Sequence, residues 1–203
     1  FRRVLFRSYS PVRFKELLVS PNEMKQKFSR LINEEIKNKQ AGKPAYILIK
    51  INHITDPVMV KKLYEASSHG VRIDLLVRGN CSLITGVPGV SDTIRINGII
   101  DRYLEHSRIF IFANGGDEKM FIGSADWMPR NLDNRVEVIA PVYDPEIKAD
   151  LKRVVEYGLK DTLQGRVVDG TGENRPWISE DKTAFRSQEE LYKYYLNENR
   201  IKD

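Results

Sequence analysis

The feature that most constrains this chain is an alternation of short apolar runs with segments of helical periodicity. Residues 46–51 form a nearly continuous apolar run, which is typical of a strand buried on both faces. Apolar residues recur at helical spacing from Met24 to Ile36, and Asp56-Pro57 begins a second helix that ends by Gly70. Strands that alternate with helices predict an α/β fold, with a mixed β-sheet flanked by helices.

Further elements follow the same logic. Ile94 to Leu104 is ambiguous between a strand and a short helix, and the Gly- and Pro-rich stretch 85–89 indicates a loop. The turn Asn114-Gly-Gly-Asp117 separates two apolar runs, which favours a hairpin. We also predict strands at 71–77, 108–112, 119–122 and 136–142, and a helix from Asp144-Pro145 to about Leu163.

Helix-start signals occur near both ends of the chain. Ser20 is predicted to cap a helix whose first position is Pro21. From Gly165 the chain loses its periodicity, which indicates an extended arm, and Ser187 with Glu190 is a capping box for a C-terminal helix. We therefore expect three parts, which are an artefactual N-terminal segment 1–8, a domain 9–164, and a C-terminal arm and helix 165–203.

The N-terminal segment is set apart by its sequence. Residues 1–8 resemble the translation of a sequencing adapter, so we exclude them from the fold, with a natural basic or targeting segment as the alternative. The formal net charge is +5, but without the three arginines of this segment the basic residues fall from 33 to 30 against 28 acidic ones, which leaves +2. Overall basicity is then weak evidence for a polyanionic partner.

Composition excludes several classes of protein. The chain has one cysteine and three histidines, which excludes a disulfide framework and a Cys-rich zinc site, and we predict no metal site here. No apolar run approaches the roughly 18–20 residues that a membrane span needs. Cys81 lacks an adjoining partner base, so we interpret it as a buried small residue rather than a nucleophile.

Polar residues concentrate between Asp101 and Arg108. His106 stands just before an apolar strand, and Arg108 lies two residues later, on the same face if the strand has begun. An imidazole can donate to, accept from or attack a phosphoryl group, and guanidinium groups clamp phosphate oxygens. The spacing suggests a phosphate site at the mouth of the sheet, although a structural hydrogen bond explains a lone histidine equally well.

Other residues could complete such a site. Ser124 and nearby backbone amides could donate to the same anion, and Asp126 could orient the imidazole. Arg78 ends a strand, and ligands gather at the carboxyl ends of strands in open α/β sheets, although a solvated surface arginine is the alternative. No Walker loop or GxGxxG motif is present, so a nucleotide would be held by another device.

Five stretches of the chain carry a family resemblance, and they are Leu17–Pro21, Leu75–Leu83, Asp101–Arg108, Ile122–Met128 and Arg130–Val138. They resemble the last domain of bacterial polyphosphate kinases, which move the ATP γ-phosphate reversibly onto polyphosphate. The resemblance implies a phospholipase-D-like fold. His106-Ser-Arg108 with Gly123-Ser-Ala-Asp126 is similar to the HxK…GSxN pattern of that superfamily, but arginine replaces lysine and aspartate replaces asparagine. These replacements argue against ordinary phosphodiester hydrolysis.

The resemblance implies roles for three residues. His106 matches the family's second essential histidine, Arg78 matches an ATP-binding arginine, and Arg135 matches an arginine of the phosphate-binding tunnel. Supporting positions fall to Arg108, Ser124, Asp126 and Arg130. The family's phosphorylated histidine, its adenine-binding residues and its magnesium-associated residues lie outside this chain. We therefore expect a fragment that retains half of an active site and is inactive alone.

The resemblance also implies partners. They are ATP or ADP, inorganic polyphosphate, the missing N-terminal and preceding catalytic domains, further copies in a homo-oligomer, and Mg²⁺ for the complete enzyme, with no nucleic acid. The expected location is the cytoplasm, with peripheral membrane association as an alternative. Two other functions stay open, a phospholipase-D-like phosphodiesterase or nuclease half and a noncatalytic polyanion-binding module.

Overall fold

The computed structural model describes residues 14–178 and 183–200, and over this part of the chain eight strands form one mixed sheet. The strands are β1 (Leu18–Ser20), β2 (Tyr46–Ile51), β3 (Arg72–Val77), β4 (Ile94–Ile99), β5 (Ile109–Phe112), β6 (Lys119–Gly123), β7 (Glu137–Val142) and β8 (Gly165–Val167). The helices are α1 (Met24–Gln40), α2 (Pro57–Ser68), α3 (Pro145–Lys160) and α4 (Ser187–Arg200). Residues 1–8 lie outside the described residues, so their interpretation stays a prediction.

The order of the strands brings several chain segments to one edge of the sheet. The order is β1-β7-β6-β5-β2-β3-β4-β8, in which β2 runs parallel to β3 and antiparallel to β5. Ile51 pairs with Val77, and Lys50 pairs with Ile109. The carboxyl ends of β2 and β3 therefore meet the amino end of β5, which is where the sequence places its candidate site.

The sheet is covered on both faces, as the apolar run of β2 predicts. Ile47 and Ile49 face α1 and α2, in a cluster that contains Phe28 and Leu63. Leu48 faces the other way, in a second cluster with Val155 of α3. Successive residues of a strand point to opposite faces, so a strand between two helical layers is apolar at nearly every position. The predicted α/β class and flanking helices are confirmed.

Three buried aromatic rings connect α1 to the edge of the sheet. The ring of Phe28 lies 4.7 Å from that of Phe110 and 5.1 Å from that of Trp127, measured between ring centroids. The carbonyl of Trp127 accepts from the amides of Thr55 and Asp56, both at 2.8 Å. Packing of these rings therefore also fixes the start of α2 and the turn that follows β6.

The predicted helix cap at Ser20 is wrong. Ser20 is the last residue of β1, where it pairs with Glu137 of β7, and its buried hydroxyl donates to the carbonyl of Asn131 at 2.6 Å. The helix begins at Met24. A cap signal describes only local preference, and here a strand partner more than a hundred residues away decides the conformation.

The C-terminal region is more ordered than its loss of periodicity predicted. The first three residues of the expected arm form β8, which pairs with β4 and extends the sheet by one strand. The ambiguous stretch 94–104 is β4 followed by a loop. The amide and hydroxyl of Ser187 donate to Asp161, both at 2.7 Å, and Glu190 pairs with Lys193. The start of α4 is therefore held by a carboxylate at the end of α3.

We predict that Phe28→Ala lowers the free energy of unfolding by about 3–5 kcal/mol, the usual cost of an aromatic-sized cavity. Chemical denaturation measures this value. Val58→Ala is the control, because Val58 on α2 is 44% exposed and its truncation leaves no cavity. A loss below about 1 kcal/mol for Phe28→Ala would contradict the packing described above.

Candidate phosphate site

Arg78 and His106 meet at the edge where β2, β3 and β5 converge. Arg78 follows β3 directly, and His106 lies three residues before β5. The Arg78 Nη2 atom lies 3.3 Å from His106 Nδ1. A guanidinium group has no acceptor atom, so Nδ1 accepts this hydrogen bond and the neutral ring carries its proton on Nε2. The two residues that the sequence singled out separately therefore lie together.

Asp126 connects the surrounding segments. Its carboxylate accepts from Arg108 Nε at 3.1 Å and from Arg108 Nη2 at 2.9 Å. It also accepts from the backbone amide of Asn52 at 3.0 Å and from the Asn52 side chain at 3.3 Å. Burial alone would raise the pKa of Asp126, but these donors and the charge of Arg108 outweigh it and hold the pKa below its ordinary value.

The expected contact between Asp126 and the imidazole is not formed. The hydrogen bonds of Asp126 come from Arg108, from Asn52 and from the backbone amide of His53 at 3.4 Å. The side-chain oxygen of Asn52 accepts from Arg78 Nε at 3.0 Å. Asp126 therefore acts on His106 indirectly. It fixes Asn52, Asn52 holds Arg78, and Arg78 contacts His106. The Asn52 amide and the Arg108 guanidinium lie closer to the Asp126 oxygens than the His106 ring does, because that ring stands on a separate loop.

The side chain of Arg108 is mostly buried, and its hydrogen bonds go to other groups of the protein. Its side chain is 11% exposed, with Nε and Nη2 on Asp126 and Nη1 donating to the carbonyl of His106 at 2.9 Å. It thereby holds the backbone of His106 against the sheet. Its predicted supporting role fits such positioning better than direct contact with an anion.

Ser124 faces β7 rather than His106. Its hydroxyl donates to Glu137, and its backbone amide donates to the carbonyl of Val138 at 3.2 Å. Gly123 permits this approach, because a Cβ at that position would lie 2.3 Å from the Val138 carbonyl oxygen. The sequence expectation that Ser124 and its amide face the same anion as His106 is therefore not supported by this geometry.

Arg130 and Arg135 lie on a neighbouring turn. A π-helical turn spans Arg130–Asn134, and the Arg135 amide donates to the Arg130 carbonyl at 2.9 Å. Both side chains are exposed, just before β7 and at the same edge of the sheet. The structure leaves both available to solvent, and their roles in phosphate binding stay predictions.

Asn52 is the site residue that sequence reasoning missed. It is buried between Asp126 and Arg78, directly after β2. Its position after a buried strand, next to the strand that carries Arg78, was a usable signal. Its neighbour His53 accepts from the Asn80 amide at 2.9 Å through Nδ1 and packs against Gly79, so it holds the loop after Arg78.

Neither a metal site nor a reactive thiol is evident among residues 14–178 and 183–200. No group of three or more His, Cys, Asp or Glu side chains converges there, and the buried Asp126 is occupied by Arg108. These residues do not fit a Mg²⁺ site. Burial raises the pKa of the Cys81 thiol, which agrees with its interpretation as a packing residue.

We predict that Asp126→Asn destabilises the fold by about 3 kcal/mol, because it leaves the mostly buried Arg108 without its counter-charge. The pKa of Asp126 is lower in the folded chain than its ordinary value of 3.8. Asp126 therefore stabilises the fold fully at pH values above 3.8, and this contribution is lost as the pH falls through the lowered pKa of the folded state. Denaturation between pH 7 and pH 2 should therefore give a shallower acid loss for Asp126→Asn. Asp117→Asn, at an exposed carboxylate, should behave as the unmodified chain; equal acid dependence in all three would contradict this role.

Comparison with known proteins shows which family this chain is similar to. The family model for polyphosphate kinase C-terminal domain 2 matches residues 17–188. The polyphosphate kinase of Escherichia coli strain K12 is 43% identical over 186 residues, which cover 92% of this chain and 27% of that protein. The solved structure of polyphosphate kinase from Porphyromonas gingivalis superposes with a TM-score of 0.88 at 40% identity, covering 94% of this chain and 29% of that one.

A more distant similarity concerns the fold alone. Nuc from Salmonella typhimurium, a phospholipase D family member, superposes with a TM-score of 0.53 at 15% identity, over 76% of this chain and 97% of that one. The phospholipase-D-like sheet expected from the sequence is thereby confirmed. This chain spans 27% of the length of the curated relatives described, which is about a quarter of each protein. On the family match and these identities, the chain belongs to the polyphosphate kinase C-terminal domain 2 family.

Proposed function

We propose that this chain supplies half of the active site of a polyphosphate kinase, which moves the γ-phosphate of ATP reversibly onto inorganic polyphosphate. The observation that carries the proposal is the contact between Arg78 and His106, 3.3 Å apart at the convergent edge of the sheet. Family membership supports the reaction class, and the pairing of a guanidinium with an imidazole supports phosphoryl chemistry at this edge.

The histidine would act as a proton donor. Because Nδ1 of His106 accepts from Arg78, the ring presents Nε2–H to a phosphoryl oxygen. In this tautomer it would hydrogen-bond the transferring group. To protonate the leaving oxygen, the ring would first take up a proton at Nδ1 and release its contact with Arg78, because a neutral imidazole that lost Nε2–H would become an imidazolate. Two contacts within the described residues use Nε–H and one hydrogen of Nη2 in Arg78, so a phosphate oxygen would be met by Nη1 or by the second hydrogen of Nη2.

The phosphoryl group itself would be carried on another domain. In the first step the γ-phosphorus of ATP bonds to a histidine nitrogen there, and its bond to the bridging oxygen breaks to release ADP. In the second step a terminal oxygen of polyphosphate attacks the same phosphorus and the P–N bond breaks. Arg78 would stabilise charge on the equatorial oxygens in both steps, and Arg135, supported by Arg130, would bind the polyphosphate chain.

The wider context of the proposal comes from the family. The intact enzyme would contain the N-terminal and preceding catalytic domains, assemble as a homo-oligomer, and bind Mg²⁺ through residues other than those described here. We place it in the cytoplasm, where ATP is available. No helix among the described residues is long and apolar enough to cross a membrane.

A phosphodiesterase or nuclease half is the second candidate function. Its support is the fold shared with Nuc. Arg108 and Asp126, at the positions of the superfamily's lysine and asparagine, bind each other through two hydrogen bonds, so neither group is available to a phosphodiester. The observations therefore favour the kinase. Hydrolysis of a phosphodiester by this chain without ATP would reverse that preference, and anion binding without any turnover in the intact enzyme would favour a binding module.

We predict that His106→Gln in the intact enzyme carrying this sequence reduces turnover by about 10²–10⁴-fold, the usual contribution of a positioned acid–base group. Glutamine can still hydrogen-bond a phosphate, but it cannot donate a proton for transfer. Initial rates of ATP-dependent polyphosphate synthesis measure the effect. The melting temperature should hardly change, because the side chain is exposed.

His69→Gln is the matched control. His69 follows α2, where its ring contacts only the carbonyl of Glu65 among the described contacts, and we expect normal turnover. Near-normal turnover of a folded His106→Gln enzyme would refute the acid–base role. A fall in activity that follows a fall in stability would assign His106 a structural role instead.

A further inference from the structure

We infer that Gln188, at the start of α4, is a positioning residue for His106, an inference that rests on the proposed function above. The loop that carries His106 runs from the end of β4 to the start of β5. The side chain of Gln188 is buried against this loop. The C-terminal helix would thereby hold the proposed proton donor in register with Arg78 without touching substrate.

The amide group of Gln188 is matched to the loop backbone. Its Oε1 atom accepts from the Tyr103 amide at 2.8 Å, and its Nε2 atom donates to the Tyr103 carbonyl at 2.9 Å. The second hydrogen on Nε2 reaches Glu105 Oε1 at 2.8 Å. A glutamine amide has two donors, and both are used here, so the side chain has one defined orientation.

Glu105 extends this contact to the sheet. Its second oxygen pairs with Lys50, a buried side chain of β2. Glu105 immediately precedes His106, and Arg108 binds the carbonyl of His106 from the other side. The backbone around the imidazole is therefore held between α4 and the sheet by side-chain hydrogen bonds.

Hydrogen bonds matter here because burial does not hold this loop. Ile100 and Leu104 are 76% and 72% exposed, so the loop gains little from the hydrophobic effect. Arg186, just before α4, makes a bidentate ion pair with Asp101 at 2.6 and 2.9 Å. The hydrogen bonds and charge of Arg186 lower the pKa of Asp101, so this carboxylate stays ionised to a more acidic pH than an unpaired aspartate.

The expected consequence is kinetic. A displacement of about 1 Å at a reacting group can cost roughly 10²-fold in rate. Removal of the Gln188 amide should let the loop shift and move His106 away from Arg78. Arg78 itself is held by Asn52, on the other side of the site, so ATP binding should change much less than turnover.

The experiment measures polyphosphate synthesis by the intact enzyme for four variants. Gln188→Ala removes all three hydrogen bonds, and Gln188→Glu keeps the size and the acceptor but places a carboxylate against Glu105. Tyr195→Phe is the matched control, because it removes a hydrogen bond from α4 to Asp150 at 3.0 Å without contact to the loop. His106→Gln is the reference for loss of the donor.

We expect kcat to fall by about 10- to 100-fold for both Gln188 variants, with KM for ATP within about twofold. The melting temperature should fall more for Gln188→Glu, which buries a carboxylate beside Glu105, than for Gln188→Ala. Hydrogen exchange should accelerate in residues 100–107 for these two variants only. Normal kcat for a folded Gln188 variant, with His106→Gln inactive, would overturn the positioning role and leave the proposed function intact. If Gln188→Glu does not fold, Gln188→Ala decides in the same way. An active His106→Gln enzyme would overturn both proposals.

Discussion

The buried carboxylate of Asp126 is the interaction on which the candidate site depends. It joins the end of β2, the residue before β5 and the turn after β6, which are far apart in sequence. A buried carboxylate is costly unless it is paired and fully hydrogen-bonded. Here Arg108 supplies the charge and Asn52 supplies two amides. This arrangement makes one rigid edge from three separate segments.

The two central residues of the site are held in different ways. Arg78 stands on that rigid edge, fixed through Asn52, whereas His106 stands on a loop that hydrogen bonds hold from both sides. The contact between them depends on both supports. The position of Arg78, the anion-binding group, is therefore fixed by the sheet. The position of His106, the proposed proton donor, depends on how α4 packs against its loop.

The fold was largely predictable from the sequence because its signals are local. The apolar run of β2, the Asp56 cap of α2 and the hairpin around residues 114–117 each depend on neighbouring residues, and each is confirmed. Ser20 and Ser187 carry equally good local signals, but Asn131 and Asp161 determine their hydrogen bonds from distant positions. Serine caps are weak enough for tertiary partners to override them.

The candidate site was predictable in location and less so in detail. Arg78 and His106 converge because strand ends share an edge, a rule that needs only the order of elements. The order of elements does not predict the hydrogen-bond partner of Asp126, because a carboxylate near both an imidazole and a guanidinium can bind either group. Asn52 was missed because a single asparagine after a strand carries no motif of its own.

Phosphate binding by Arg78 and His106 can be tested by titrating this chain with inorganic tripolyphosphate and following the NMR signals of its histidine rings. The chain has three histidines, so single His→Gln variants assign every signal. We expect the His106 signals to move in a saturable way, the His69 signals to stay unaffected, and Arg78→Ala to abolish the response. Unchanged His106 signals at saturating tripolyphosphate, or the same response in Arg78→Ala, would contradict a phosphate site built from these two residues.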